Sequence, residues 1–162
     1  MTDTRPSTRS ISTLPSGRDL AMPRDVDDAR AAIADVLERQ AFAELLGYRL
    51  IDAADLAVTL ALPLRPALLQ PFFVHGGAIY SLADTASTFA VLTRLWPESW
   101  ATTVEQSVQF LRPVQATEGE LLAFAHVRRF GRTISFVEAT VTHDGREIAT
   151  SRSTQMRQAR PR

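Results

Sequence analysis

The sequence predicts an α+β domain in which helices come first and a run of antiparallel strands follows. Three observations carry this. The stretch from Gly76 to about Leu95 has helical periodicity and almost no charge. After it come strand-like runs with no helix between them. Finally, His143-Asp144-Gly145-Arg146 is a tight hairpin signal, because Asp-Gly tolerates the positive φ angles of a type I′ turn. The strict strand–helix alternation of a doubly wound sheet is missing.

The elements follow in order. Asp25 to about Gln40 reads as an amphipathic helix, with Asp25 and Asp27 at its start and Val26, Ile33, Val36 and Leu37 near helical spacing. Gly47 breaks it. Tyr48 to Leu62 holds two strand-like runs with a turn at Asp52–Asp55, and Pro63, Pro66 and Pro71 mark an extended loop. The long helix has Ile79, Leu82, Ala83, Ala86, Phe89 and Ala90 as its apolar stripe, and Trp96-Pro97 ends it. The first strand after it places Val104, Gln106, Val108 and Phe110 on one face and stops at Pro113. Leu121–Phe130, Thr133–Thr142 and Glu147–Met156 are the remaining strands.

A chain of 162 residues suggests one domain, expected over residues 25–157. Residues 1–24, rich in Ser, Thr, Arg and Pro without an apolar segment, read as a disordered tail rather than a secretory signal. Asp3 and Asp19 count against a transit peptide, and residues 158–162 read as a short second tail. No apolar run reaches the roughly 18 residues of a membrane span, so a cytoplasmic protein without membrane contact is expected. The formal net charge of +0 gives no basic field for nucleic acid. With no Cys, thiolate nucleophiles and Cys-based zinc sites are excluded. With no Lys, so are Schiff-base and P-loop lysines. His75, His126 and His143 lack ligand spacing, so neither metal nor cofactor is expected.

The chemistry concentrates around Asp84. From Pro66 to Thr93 it is the only formally charged residue. A carboxylate in a helix expected to be buried is costly unless it is used or satisfied, and buried acids are enriched at functional sites. A structural acid held by backbone or by an Arg is the competing reading. Tyr80, Asp84 and Thr88 lie at i, i+4, i+8 and share a helix face. At the helix start, His75-Gly76-Gly77 offers backbone N–H groups with no intrahelical acceptor, and glycine permits close approach. A carbonyl placed there would be polarised, as in an oxyanion hole. Gly76 and Asp84 are nonetheless about 12 Å apart along the axis, at roughly 1.5 Å per residue. A base and an oxyanion donor must meet around one carbonyl. If both are catalytic, Gly76 of one subunit faces Asp84 of another, and the protein is a homo-oligomer.

At these residues the chain resembles the hotdog-fold acyl-CoA thioesterases of the phenylacetate-degradation type. The resemblance rests on His75-Gly76-Gly77 followed by Leu82-Ala83-Asp84, on Val104 to Pro113, on Gly131-Arg132 and on the Asp-Gly hairpin. It runs from about Leu46 to Met156. It implies a long central helix wrapped by a curved antiparallel sheet, with two units pairing their sheets into a dimer or a dimer of dimers. It implies hydrolysis of acyl-CoA without metal. Asp84 matches the catalytic acid, as general base or nucleophile, and Gly76 the backbone donor to the thioester carbonyl. Thr88 matches a hydroxyl that holds the water, and Thr103 a hydroxyl near that water. In the family an Asn or Gln precedes the His. Here Gln70 is the nearest candidate, and Phe73 stands where a small residue is common.

His75, Gly77, Gln70, Phe73 and Tyr80 are thus expected at the substrate, with Phe72, Phe73 and Tyr80 around the acyl group. His75 is expected to orient the loop rather than act as a base. Arg112 and Arg132 are the candidates for coenzyme A phosphates, because Arg suits phosphate. Arg128 and Arg129 are further candidates, and solvated surface arginines are the competing reading for all four. The alternative function is a non-catalytic acyl-CoA-binding module, which would keep the glycines and lose the acid. A dehydratase is disfavoured, since His75 and Asp84 cannot easily meet within one chain.

Overall fold

The computed structural model describes residues 24–159. Of the tails expected over residues 1–24 and 158–162, residues 1–23 and 160–162 lie outside the described residues. Three residues assigned to those tails at their inner ends do have structure: Arg24 bonds to Asp55 and to the Trp96 carbonyl, and the last strand includes Gln158 and Ala159.

Helix α1 spans Val26–Glu38. Asp25 caps it by accepting from the Asp28 N–H at 2.8 Å, and Asp27 and Asp28 favour its positive end. Ala29, Ala32, Ile33 and Val36 form its buried stripe. A short helix that the sequence did not announce, α2 at Ala41–Leu46, follows. No side chain caps it, and Gly47 ends it in the left-handed region at φ 78°. β1 (Arg49–Ala54) and β2 (Ala57–Pro63) form a hairpin. Its turn sits at Asp55-Leu56, later than the expected Asp52–Asp55, because Asp52 to Ala54 stay paired with Thr59 to Ala57. The Thr93 hydroxyl accepts from the Leu56 N–H at 2.9 Å and fixes the turn against the next helix.

That helix is α3, Gly76–Leu95, with the boundaries the sequence predicts. β3 (Ser99–Phe110), β4 (Glu120–Arg129), β5 (Ile134–His143) and β6 (Arg146–Ala159) complete one antiparallel sheet. The strand order is β1-β2-β4-β5-β6-β3, so β1 and β3 are the edges. Asp144 at φ 48° and Gly145 at φ 73° make the β5–β6 turn as expected. α3 packs against β2 through β6, and the sheet curves around it. Leu82, Ala83, Ala86, Phe89, Ala90 and Leu92 are buried against Leu60, Leu62, Leu121 and their neighbours. This explains the nearly uncharged sequence of α3: a helix enclosed on most sides has little room for charge.

One face assignment changes. β3 carries a bulge between Thr103 and Glu105, so Val104 drops out of the alternation. Thr103 pairs with Gln155, while Gln106, Val108 and Phe110 pair with Ser153, Ser151 and Ala149. The bulge keeps Thr103 on the α3 side together with Gln106, two residues past the irregularity.

The far end of α3 is fastened by an ion pair. The Arg94 Nε donates to Asp55 Oδ1 at 2.6 Å, its second nitrogen bonds Oδ2, and its guanidinium lies 5.2 Å from the Phe130 ring centre. These bonds hold the Asp55 carboxyl below the usual carboxylate range; burial opposes them and the Arg24 N–H assists. A depressed folded pKa stabilises the fold above the unfolded value near about 3.9, and that contribution is lost as pH falls through the folded value. Asp55→Ala should therefore cost about 2 kcal/mol at pH 7, with a much smaller difference from wild type at pH 3. Urea unfolding at the two pH values measures this, and an equal loss at both would refute the ion-pair account.

Candidate active site

His75 caps α3 with its side chain: Nδ1 accepts the Gly77 N–H at 2.8 Å. This fits the orienting role expected of His75 and occupies the Gly77 donor. The Gly76 N–H has no acceptor among the described residues. A Cβ at Gly77 would lie 2.8 Å from the His75 ring, so glycine is needed for this cap. Gly76 opens onto a cleft of about 550 Å³ lined by Gln70, Phe73, His75, Phe110 and Arg112. Gln70 and Phe73 are joined by a backbone bond from the Gln70 N–H to the Phe73 carbonyl at 2.9 Å, which closes the loop before α3.

Two turns along α3, Asp84 opens onto a second cleft, of about 590 Å³, with Tyr80, Thr88, Thr103, Trp100 and Phe42. Asp84 is half-buried rather than enclosed. Thr103 Oγ1 donates to Asp84 Oδ1 at 2.7 Å, and Thr88 Oγ1 lies 3.3 Å from Thr103 Oγ1. Of the competing readings of Asp84, the structural one required backbone or an Arg as partner. Among the described residues, what bonds the Asp84 carboxylate is the cleft hydroxyl of Thr103. Beside it the buried Tyr48 hydroxyl has no partner at hydrogen-bond geometry. Burial pushes this phenol up, Thr85 offsets part of the rise, and the Asp84 charge adds to it. Tyr48 is thus a buried, neutral neighbour of Asp84 at any ordinary pH.

The structure divides the predicted site residues between the two clefts. Gln70, Phe73, His75, Gly76 and Arg112 belong to one; Tyr80, Asp84, Thr88 and Thr103 belong to the other. The expected grouping of Phe72, Phe73 and Tyr80 does not form within a chain. Phe72 is 75% exposed, and the other two lie in different clefts. Arg132 sits in the β4–β5 loop and lines neither cleft, and Arg128 is on the outer sheet face by Glu138. Arg112 donates to the Glu147 carbonyl at 2.6 Å. Among the described residues, no three His, Asp or Glu side chains cluster as metal ligands.

Three site residues escape sequence reasoning. Phe42 arrives on the unannounced α2, and Trp100 lies on β3 ahead of Val104–Phe110, the stretch whose alternation marks a strand in the sequence. Gln155 is 1% exposed on β6, where it bonds Thr88 and Thr103. A signal for it existed: Ser151, Ser153 and Gln155 alternate with Arg152 and Thr154, which puts a polar row on the inward face.

A carboxylate bonded to a hydroxyl, and an open backbone donor at a helix start, are groups that attack on an acyl carbonyl can use. The fold that carries them, a long helix wrapped by a curved antiparallel sheet, is the hotdog fold, and its class here is hydrolytic. Residues 73–150 match the Thioesterase superfamily, and the chain belongs to that family. A relative from Halobacterium salinarum named "Putative esterase" is 34% identical over 124 residues, covering 72% of this chain and 80% of that protein. A thioesterase family protein from Silicibacter pomeroyi superposes with a TM-score of 0.74 at 31% identity, over 82% of this chain and 99% of that one. The E. coli PaaI protein, from the phenylacetic acid degradation operon, shares the fold with a TM-score of 0.78 at 23% identity, over 84% of this chain and 97% of that one.

Proposed function

We propose that the protein hydrolyses acyl-CoA thioesters to free acid and coenzyme A, at sites each shared by two subunits. Asp84 is the catalytic carboxylate, and the Gly76 N–H of the partner subunit polarises the thioester carbonyl. The observation that carries this is the Thr103–Asp84 bond at a cleft separate from the one onto which Gly76 opens. Each cleft holds half of what acyl hydrolysis needs, and pairing of two chains across the β3 edge would join complementary halves.

In the general-base route, Asp84 accepts a proton from water as the water oxygen attacks the carbonyl carbon. The oxyanion that forms is held by Gly76, where the helix dipole adds to the N–H. Collapse expels the thiolate, which takes the proton from Asp84. In the nucleophilic route the carboxylate itself attacks the carbonyl carbon, the C–S bond breaks to expel the thiolate, and water then cleaves the mixed anhydride, freeing Asp84 and giving up a proton to the thiolate. The Thr88 hydroxyl, 3.3 Å from the Thr103 hydroxyl that bonds Asp84, favours the first route, because it can hold a water beside the carboxylate. Arg112 lines the Gly76 cleft, and its guanidinium would meet the carrier phosphates there.

Thiol release over a panel of acyl-CoA substrates tests the activity, and a protein that cleaves none of them sinks it. Analytical ultracentrifugation coupled to the assay tests the shared site; a fully active monomer rules it out.

A further inference from the structure

We infer that Gln155 is a positioning residue that sets the direction of the Thr88 and Thr103 hydroxyls at the Asp84 cleft, so that Thr88 accepts a hydrogen bond from the hydrolytic water. This rests on Asp84 being the catalytic carboxylate.

An ionised carboxylate only accepts, so Thr103 must donate its single proton to Asp84 Oδ1, 2.7 Å away. Thr103 then has only lone pairs for its other neighbours. Gln155 Nε2 lies 3.0 Å from Thr103 Oγ1 and supplies the donor it needs. The second Nε2 proton goes to Ser153 Oγ at 3.1 Å. Both amide protons are then committed, and Gln155 Oε1 is left to accept. Thr88 Oγ1 lies 3.3 Å from it and equally 3.3 Å from Thr103 Oγ1, finds only acceptors on this inward side, and donates to Gln155 Oε1. The chain therefore runs one way: Thr88 to Gln155, Gln155 to Thr103, Thr103 to Asp84.

The consequence falls on Thr88, which lines the cleft. Its proton points inward to Gln155, so it meets solvent with lone pairs. A water beside Asp84 finds two acceptors, the carboxylate and Thr88. Both its protons are held, and its own lone pair is directed at the substrate. Without Gln155 the Thr88 proton can turn outward, toward the water or the carboxylate. The water then loses its orientation, and the base gains a competing donor.

Burial strengthens the assignment. Gln155 is 1% exposed, and a buried amide is costly unless fully bonded. Its partners here are side-chain hydroxyls, two of them at the cleft. A group needed only for packing would be replaceable by an apolar side chain of equal length.

Gln155→Met keeps the volume and removes the amide. Gln155→Glu keeps the shape and acceptor while removing both donors. With folding checked by circular dichroism, each should lower kcat by about 10- to 100-fold and leave KM within about twofold, since Gln155 does not reach the substrate. Thr103→Val combined with Gln155→Met should be no worse than Thr103→Val alone, because both break one chain. If Gln155→Met fails to fold, Gln155→Glu decides. Asp84→Ala is run in parallel. Should it stay active, the reading of Asp84 fails and takes this inference with it. Should it be inactive while either folded Gln155 variant keeps kcat within about twofold of wild type, or while the Thr103 and Gln155 losses multiply, Gln155 has no positioning role and only this inference falls.

Discussion

Asp84→Ala should lower kcat for thioester hydrolysis by about 10³-fold or more, a barrier increase of roughly 4 kcal/mol. The size follows from what is lost. Water is a poor nucleophile at neutral pH unless a base takes its proton as it attacks. Among the described residues lining this cleft, Asp84 is the one carboxylate. The neighbouring Tyr48 phenol, pushed up by burial, stays protonated and cannot substitute. Asp84→Asn is the sharper variant. Its amide oxygen can still accept the Thr103 proton, so the cleft keeps its shape while the base is gone. Both variants should keep KM near wild type and retain cooperative melting, because the site's function and the fold's stability are separable here. Activity of Asp84→Ala within tenfold of wild type would falsify the assignment.

Much of the fold was legible because its signals are local. α3 begins at Gly76-Gly77, where only backbone and a capping histidine are needed, and ends at Trp96-Pro97, where the helix cannot continue. The Asp144-Gly145 turn is specified by two residues that tolerate positive φ. What was not legible depends on tertiary context. α2 has six residues and no side-chain cap; it is held by what surrounds it rather than by its own propensity. The bulge at Val104 leaves no mark in Thr103-Val104-Glu105-Gln106, a run that alternates plausibly in either register. Asp84 was legible for a different reason: a single charge in an enclosed helix stands out against an apolar background. Gln155 had no such contrast, being a neutral polar residue on a strand rich in Ser, Thr and Arg. Its meaning comes only from the register that sets it opposite Thr103.

The separation of the two clefts leads to the second large effect. Gly76 occupies the first position of α3, where proline is tolerated because the N–H has no intrahelical partner. His75 already has extended backbone angles, φ −63° and ψ 132°, as a residue before proline requires. A Cβ at Gly76 would meet the exposed Phe110 ring at 3.4 Å, within what a mobile side chain can accommodate. Gly76→Pro should therefore delete one N–H with the helix intact and lower kcat by about 10²- to 10³-fold, the loss expected for one oxyanion donor. Mixing this variant with Asp84→Ala then separates a shared site from a site within one chain. In a hybrid dimer the Gly76→Pro chain supplies an intact Asp84, and the Asp84→Ala chain supplies an intact Gly76. One of the two shared sites is whole, and the other carries both defects. Equal mixing with free exchange makes half the dimers hybrid, so activity should return to about a quarter of wild type. If each site were built from one chain, every site in the mixture would carry a defect. Activity would then stay at the level of the separate variants even with subunit exchange confirmed by native mass spectrometry.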